Sequence, residues 1–205
     1  MLQRSIPFFE YPRLWSDERE GLLKIIDKTS TSGSFILQKA VSDFELDLAK
    51  YTKSKYVVGV GNATDGMEII LEALDVKYGD EIIICSHTML ATASAIKTVG
   101  GIPIPVEIGD DNLIDPEAIL NAISERTVGI MPAQLNGRTC KMDEILSIAD
   151  KYGLFIVEDA AQALGAKYKG QFAGTFGAAN TAIAREHSIR FRAEKTGFID
   201  AVSWQ

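Results

Sequence analysis

Tyr56-Val57-Val58-Gly59-Val60-Gly61-Asn62-Ala63-Thr64-Asp65-Gly66 decides how the rest of this chain reads. Residues 56–60 are mostly β-branched or aromatic and bounded by polar residues, the signature of a short strand. The small residues after Val60 turn the chain into a helix, whose first N–H groups would then face a ligand at the end of the strand. The same alternation recurs downstream. Residues 81–85, 102–107, 127–131 and 154–158 are short apolar runs between turn residues, and each reads as a buried strand. Helical segments separate them, clearest at Asp115-Pro116-Glu117, where an N-cap, a first-turn proline and an acid precede Ile119, Leu120 and Ile123. Another covers residues 142–152, closed by Gly153. Five strands separated by four helices, too continuously apolar for a sheet wetted on one face, predict an α/β fold: a mainly parallel sheet with helices on both faces. Before the first strand, Asp17 and Glu20 open a helix through Leu22, Leu23, Ile25 and Ile26, with a polar loop expected at residues 29–33. A second helix carries Val41, Phe44, Leu48 and Tyr51 on one face, against the sheet.

At 205 residues, 46% apolar and 24% charged, the chain suits one soluble domain. A net charge of -7, with both signs mixed along the sequence, provides no basic stripe for nucleic acid and no polybasic membrane patch. Cys85 and Cys140, with only two histidines, are too few and too scattered for a zinc site or a disulfide framework; both are expected to pack as small apolar residues. No run approaches the roughly 20 apolar residues of a membrane span, and no signal-like segment opens the chain, so a cytoplasmic protein is expected.

In sheets of this kind ligands sit beyond the carboxyl ends of the strands. Gly59-x-Gly61-x-x-Thr64 approaches a dinucleotide fingerprint but lacks the third glycine, and Asp80 and Glu81 stand at the start of the next strand rather than at its end. A ligand with a single phosphate is favoured, the plainer alternative being a strand-to-helix turn capped by Thr64. Asp159 follows the run 154–158, where a carboxylate is costly without a cationic or hydrogen-bonding partner; otherwise it is an N-cap for residues 160–164. Joined to a phosphate cradle, such a carboxylate facing a pyridinium nitrogen makes the arrangement that pyridoxal 5'-phosphate requires.

Several blocks in order carry a resemblance: Ser32-Gly33-Ser34-Phe35-Ile36-Leu37, Val58 to Asp65, Gly79-Asp80-Glu81-Ile82-Ile83, Ser86-His87-Thr88-Met89-Leu90-Ala91-Thr92-Ala93, Asn136-Gly137, Met142-Asp143 and Glu158-Asp159-Ala160-Ala161-Gln162-Ala163. From residue 6 to about 179 the chain resembles the DegT/DnrJ/EryC1/StrS sugar aminotransferases, fold-type I enzymes dependent on pyridoxal 5'-phosphate. The resemblance implies that residues 1–205 form the cofactor-binding large domain, with a helical segment at 1–30 and without the small C-terminal domain. It implies that Ala63, Thr64 and Asp65 form the phosphate-binding helix start, that Asp159 pairs with the ring nitrogen and that Gln162 sits beside the ring hydroxyl. Met89 would take the place of an aromatic ring stacked on the cofactor, a role a thioether can fill. It further implies a nucleotide-linked keto-sugar as amino acceptor, glutamate as donor and a homodimer, with Phe35, Ile36 and Leu37 on its covered face.

After Gly174-Thr175-Phe176-Gly177-Ala178-Ala179 the pattern breaks. The family's Schiff-base lysine is not found; Lys167, Lys169 and Lys195 do not stand in its place. Residues 180–187 resemble instead the helix beyond the lysine loop, and residues 197–205 the approach to the small domain. Skipping a strand in mid-sheet would leave unpaired edges, so the intact polypeptide is expected to exceed 22.4 kDa. A related dehydratase branch replaces the lysine by histidine, and His187 is not at the matching place; a catalytically inactive nucleotide-sugar-binding homologue is the other alternative.

Overall fold

The computed structural model describes residues 7, 10–33, 35–177, 179–182 and 200–204, the last two stretches as backbone strands. Nine strands are formed among these residues: β1 (Tyr56–Val60), β2 (Glu81–Cys85), β3 (Ile102–Val106), β4 (Thr127–Met131), β5 (Phe155–Asp159), β6 (Lys167–Tyr168), β7 (Gln171–Phe172), β8 (Ala179–Ala182) and β9 (Asp200–Trp204). Seven make one sheet in the order β1-β9-β8-β5-β4-β2-β3, and β6 and β7 form a separate hairpin. Every pair from β8 to β3 is parallel, while β9 lies antiparallel to both its neighbours. The predicted strands therefore belong to one mainly parallel sheet.

Helices cover both faces, and β2 shows why. Its alternate side chains enter different cores. Ile83 and Cys85 pack with Ile119 of α5 (Pro116–Ala122) and with Met142, Ile145 and Ile148 of α6 (Met142–Tyr152). Ile82 and Ile84 pack with Met67, Ile70 and Leu71 of α3 (Ala63–Ala73) and Ala95 and Ile96 of α4 (Leu90–Thr98). Cys85 and Cys140 are both free and buried, as small apolar residues would be. Asp115 caps α5 by accepting from the Glu117 N–H at 3.2 Å, and Gly153 ends α6 in the left-handed region, as the sequence predicts. Gly129 in β4 is a packing glycine: a Cβ there would fall on the Phe155 ring. Gly129→Ala is expected to lower stability by about 1–3 kcal/mol through overpacking, measured by denaturant unfolding; an unchanged midpoint would refute the tight contact.

Several boundaries differ from expectation. The first helix, α1 (Tyr11–Ser32), starts earlier, with Pro12 in its first turn, and continues through the residues expected to be a loop. Nothing in Thr29-Ser30-Thr31-Ser32 breaks a helix; the break is Gly33, at φ 66°. α2 (Lys39–Thr52) buries Phe44 and Leu48 as predicted. β3 ends one residue early, and β5 is shifted by one, so Asp159 is the strand's last residue. Residues 180–182, expected in a helix, lie in β8, where they supply the parallel partner that the edge of β5 needs. Residues 200–204 form β9 and join β8 to β1, so the expectation of open edges in mid-sheet is not met. The rest of the 183–199 stretch, with His187 and Lys195, lies outside the described residues, as do Ile6 and Ser34. At the outer edge, the Gly59 N–H of β1 donates to Glu45 Oε1 of α2 at 2.7 Å, so a side chain occupies a ladder position that another strand could otherwise take.

Candidate active site

β1 runs antiparallel to β9, β9 antiparallel to β8, and β8 parallel to β5. The carboxyl ends of β1 and β5 consequently share one edge of the sheet with those of β2 and β4. On that edge lie the start of α3, the start of α4, the turn at Leu135–Gly137 and the turn after Asp159. α3 packs on α4, β5 and β8, which carries its first turn over the middle of the sheet.

The cap of α3 is Asn62, not Thr64: the Asn62 Oδ1 accepts from the Asp65 N–H at 3.0 Å, and its carbonyl accepts from Gly66 at 3.1 Å. Among the described residues no acceptor meets the N–H groups of Ala63 and Thr64, the open donors of a helix start. Ala63 is buried and Asp65 exposed, and a Cβ at Gly61 would come within 2.9 Å of Asp65 Oδ2. Bare backbone at Gly61 therefore gives the Asp65 carboxylate its place on the first turn. There it complements the helix dipole, while its own N–H is already engaged by Asn62.

Asp159 is 7% exposed. Its Oδ2 accepts from Thr92 Oγ1 at 2.7 Å and its Oδ1 from the Ala161 N–H at 3.2 Å. Its backbone is held on both sides, the N–H donating to Pro132 and the carbonyl accepting from Gln134. No helix follows: residues 160–163 form a turn, so the helix-cap alternative is replaced by a side-chain-closed turn at Ala161. No cation pairs with Asp159 among the described residues. Burial pushes its acid above the usual carboxylate range, and the bonds from Thr92 and Ala161 pull it back part of the way. A protonated ring nitrogen, being both a cation and a donor, fits this carboxylate; an anionic group does not.

Gln162 is exposed, with Oε1 3.3 Å from the Asn136 N–H, and its carbonyl accepts from Gly137. Asn136 takes φ 54° to present that N–H, a conformation asparagine tolerates. Met89 stands at the N-cap of α4, 60% exposed on the same edge. His87 is a loop histidine with Nδ1 3.2 Å from the Asn112 carbonyl. Glu81, weighed as a ribose-binding acid, is buried at the opposite end of β2 and paired with Arg126 and Ser124, which removes the dinucleotide alternative. Lys169 pairs with Asp143, and Lys167 lies 4.2 Å from the Phe172 ring. No three metal-ligating side chains converge among the described residues.

Two side chains escape sequence reasoning. Thr92 is fully buried in the first turn of α4, its hydroxyl 3.0 Å from that of Thr88 in the loop before the helix, and nothing local in the sequence marks the pair. Glu158, also fully buried, faces away from Asp159 and accepts from Gln134 Nε2 at 2.7 Å and from the N–H groups of Gly174, Phe176 and Gly177 at 2.8, 2.5 and 3.3 Å. It ties the segment entering β8 to the end of β4.

The sequence profile of the DegT/DnrJ/EryC1/StrS aminotransferases matches residues 16–183. The chain belongs to that family. A DegT/DnrJ/EryC1/StrS relative, the dTDP-3-amino-3,6-dideoxy-alpha-D-galactopyranose transaminase of Aneurinibacillus thermoaerophilus, is 39% identical over 84% of this chain and 48% of its own length. DesV of S. venezuelae, solved in complex with a ketimine intermediate, superposes with a TM-score of 0.84 at 32% identity, covering 98% of this chain and 54% of that one. NtdA of Bacillus subtilis, solved with bound cofactor PMP, superposes with a TM-score of 0.84 at 30% identity over 100% of this chain and 46% of that one. The chain thus spans about half the length of the relatives it matches. The likeness carries the fold: this is an α/β large domain of fold-type I. Among the described residues no helix is long and apolar enough to cross a membrane.

Proposed function

We propose that residues 1–205 are the cofactor-binding large domain of a cytoplasmic, pyridoxal 5'-phosphate-dependent aminotransferase that delivers an amino group to a nucleotide-linked keto-sugar. One observation carries this reading: Asp159, buried and without a cation, shares a sheet edge with the open N–H donors of α3. Ala63 and Thr64 would hold the phosphate through those donors and the helix dipole, with Asp65 completing the first turn. Asp159 would hold the ring nitrogen protonated, Gln162 would meet the ring hydroxyl, and Met89 would lie on the ring face. With its nitrogen protonated, the bound ring supplies an electron sink for the carbanion chemistry of amino transfer.

The acceptor class rests on relatives such as the dTDP-sugar transaminase above, and the donor, glutamate, on the family resemblance. A homodimer is supported by α1, which buries no residue within this chain, and by the exposed Phe35, Ile36 and Leu37. A second reading, a sugar-nucleotide-binding homologue without turnover, has one observation in its favour: neither Lys167 nor Lys169 reaches the site edge, each being engaged elsewhere.

The test is pyridoxal 5'-phosphate titration of the purified full-length protein of measured intact mass, followed by incubation with glutamate and a dTDP-linked 3-keto-6-deoxyhexose. The expected result is a saturable change in cofactor absorption, then an aminosugar nucleotide and 2-oxoglutarate. Saturable cofactor binding with no 2-oxoglutarate released from glutamate would favour the second reading, and no binding at all would overturn both.

A further inference from the structure

The Asp159 carboxylate is the only member of the proposed site that is both buried and charged among the described residues, and its surroundings hold it without a counter-ion. From α4, the fully buried Thr92 Oγ1 donates to Asp159 Oδ2 at 2.7 Å. Thr88 Oγ1 lies 3.0 Å from Thr92 Oγ1. A hydroxyl has one proton. With Thr92 giving its proton to Asp159, Thr92 must accept from Thr88, so the direction of both bonds is set. Of the other elements against Asp159, the end of β4 brings Ala133 and the backbone of Pro132 and Gln134, the following turn brings the Ala161 N–H, and β8 brings Thr181 as the parallel backbone partner; α3, which also packs on β5, carries the exposed Asp65 on its first turn. The neighbouring carboxylate, Glu158, points to the opposite face of β5, into the Gln134 and Gly174 contacts.

We propose that Thr88 and Thr92 form a one-way hydroxyl chain that positions the Asp159 carboxylate and keeps it ionised, making both threonines positioning residues for the ring-nitrogen contact. The proposal rests on the cofactor reading above. Two hydroxyls in series stabilise an anion without introducing a cation, which would compete with the ring nitrogen for the same carboxylate. Removing the inner hydroxyl returns Asp159 to burial with one donor, and burial favours the uncharged acid.

The test is the affinity of the full-length protein for pyridoxal 5'-phosphate between pH 5 and 9, with inorganic phosphate as a competitor that reads the α3 start alone. Wild type should lose affinity as falling pH protonates Asp159. In Thr92→Val the midpoint of that loss should move up by about one pH unit, with binding weakened by roughly tenfold at pH values below both midpoints and little at pH well above them, while phosphate competition is unchanged. Thr92→Ser should restore the wild-type profile, and Thr88→Val should move the midpoint the same way by less. A Thr92→Val profile superimposable on wild type, or equal shifts in Thr92→Val and Thr92→Ser, would overturn the hydroxyl chain. Should Thr92→Val not fold, Thr88→Val decides: an unmoved midpoint there also overturns it. The cofactor reading fails separately, through Asp159→Asn: if that variant keeps the wild-type pH profile, Asp159 does not meet the ring nitrogen.

Discussion

Asp159→Asn in the full-length enzyme is expected to slow the glutamate half-reaction by orders of magnitude while the cofactor still binds, at reduced affinity. The amide keeps the shape of the site and can still accept from Thr92, but it removes the charge that holds a pyridinium. Phosphate anchoring at Ala63 and Thr64 does not involve Asp159 and should survive. The cofactor-free protein should respond in the opposite sense. Burial raises the folded acid above its unfolded value, so between those two values the native state binds more protons than the unfolded state. Stability then falls as pH rises through that window and stays lower above it. Asparagine removes this dependence, and at neutral pH the apo variant should be more stable than wild type by on the order of 1 kcal/mol. Stopped-flow spectroscopy reads the first arm and thermal unfolding of apo protein across pH reads the second. A near wild-type half-reaction rate would leave Asp159 as a turn-closing residue only.

The largest effect on stability is expected at Glu158. Glu158→Ala would remove the acceptor shared by Gln134 Nε2 and the N–H groups of Gly174, Phe176 and Gly177. Breaking a buried carboxylate out of such a network costs about 3–5 kcal/mol, or roughly 10 °C in melting temperature for a chain of this size. Glu158→Gln keeps one acceptor but turns an NH2 towards N–H donors, so it should fall between wild type and alanine. Calorimetry of the three proteins checks the order. A melting temperature for the alanine variant within about 2 °C of wild type would show that the network contributes little.

Which features were legible in the sequence follows from how local their causes are. β1, β2 and β4 match the predicted residue ranges because each is a short β-branched run that only a buried strand accommodates. The caps of α5 and α6 were equally readable, since Asp115-Pro116-Glu117 and Gly153 act through their own backbone. Asn180, Thr181 and Ala182 carry no period of their own; their strand is imposed by the bare edge of β5, which no local window contains. The same holds at the site. Asp159 and the α3 start were recognisable as a carboxylate and a row of donors, but the partner that orients Asp159 is Thr92, 67 residues earlier. Asn62 displaced Thr64 as the cap because the helix begins two residues sooner than the hydroxyl would require.

β9 carries a consequence for how the molecule is made. Among the described residues β1 has no sheet partner except β9, although roughly 140 residues of chain separate them. On a ribosome adding about 5–20 residues per second, β1 waits on the order of ten seconds for the strand that will hold it. Through that interval the parallel strands from β2 to β5 can assemble, while β1 is retained without a strand beside it, by α2, the Glu45 contact to Gly59 and the packing of Val60 against the α3 core. The β1 side of the sheet edge is therefore completed last, once residues 200–204 have emerged.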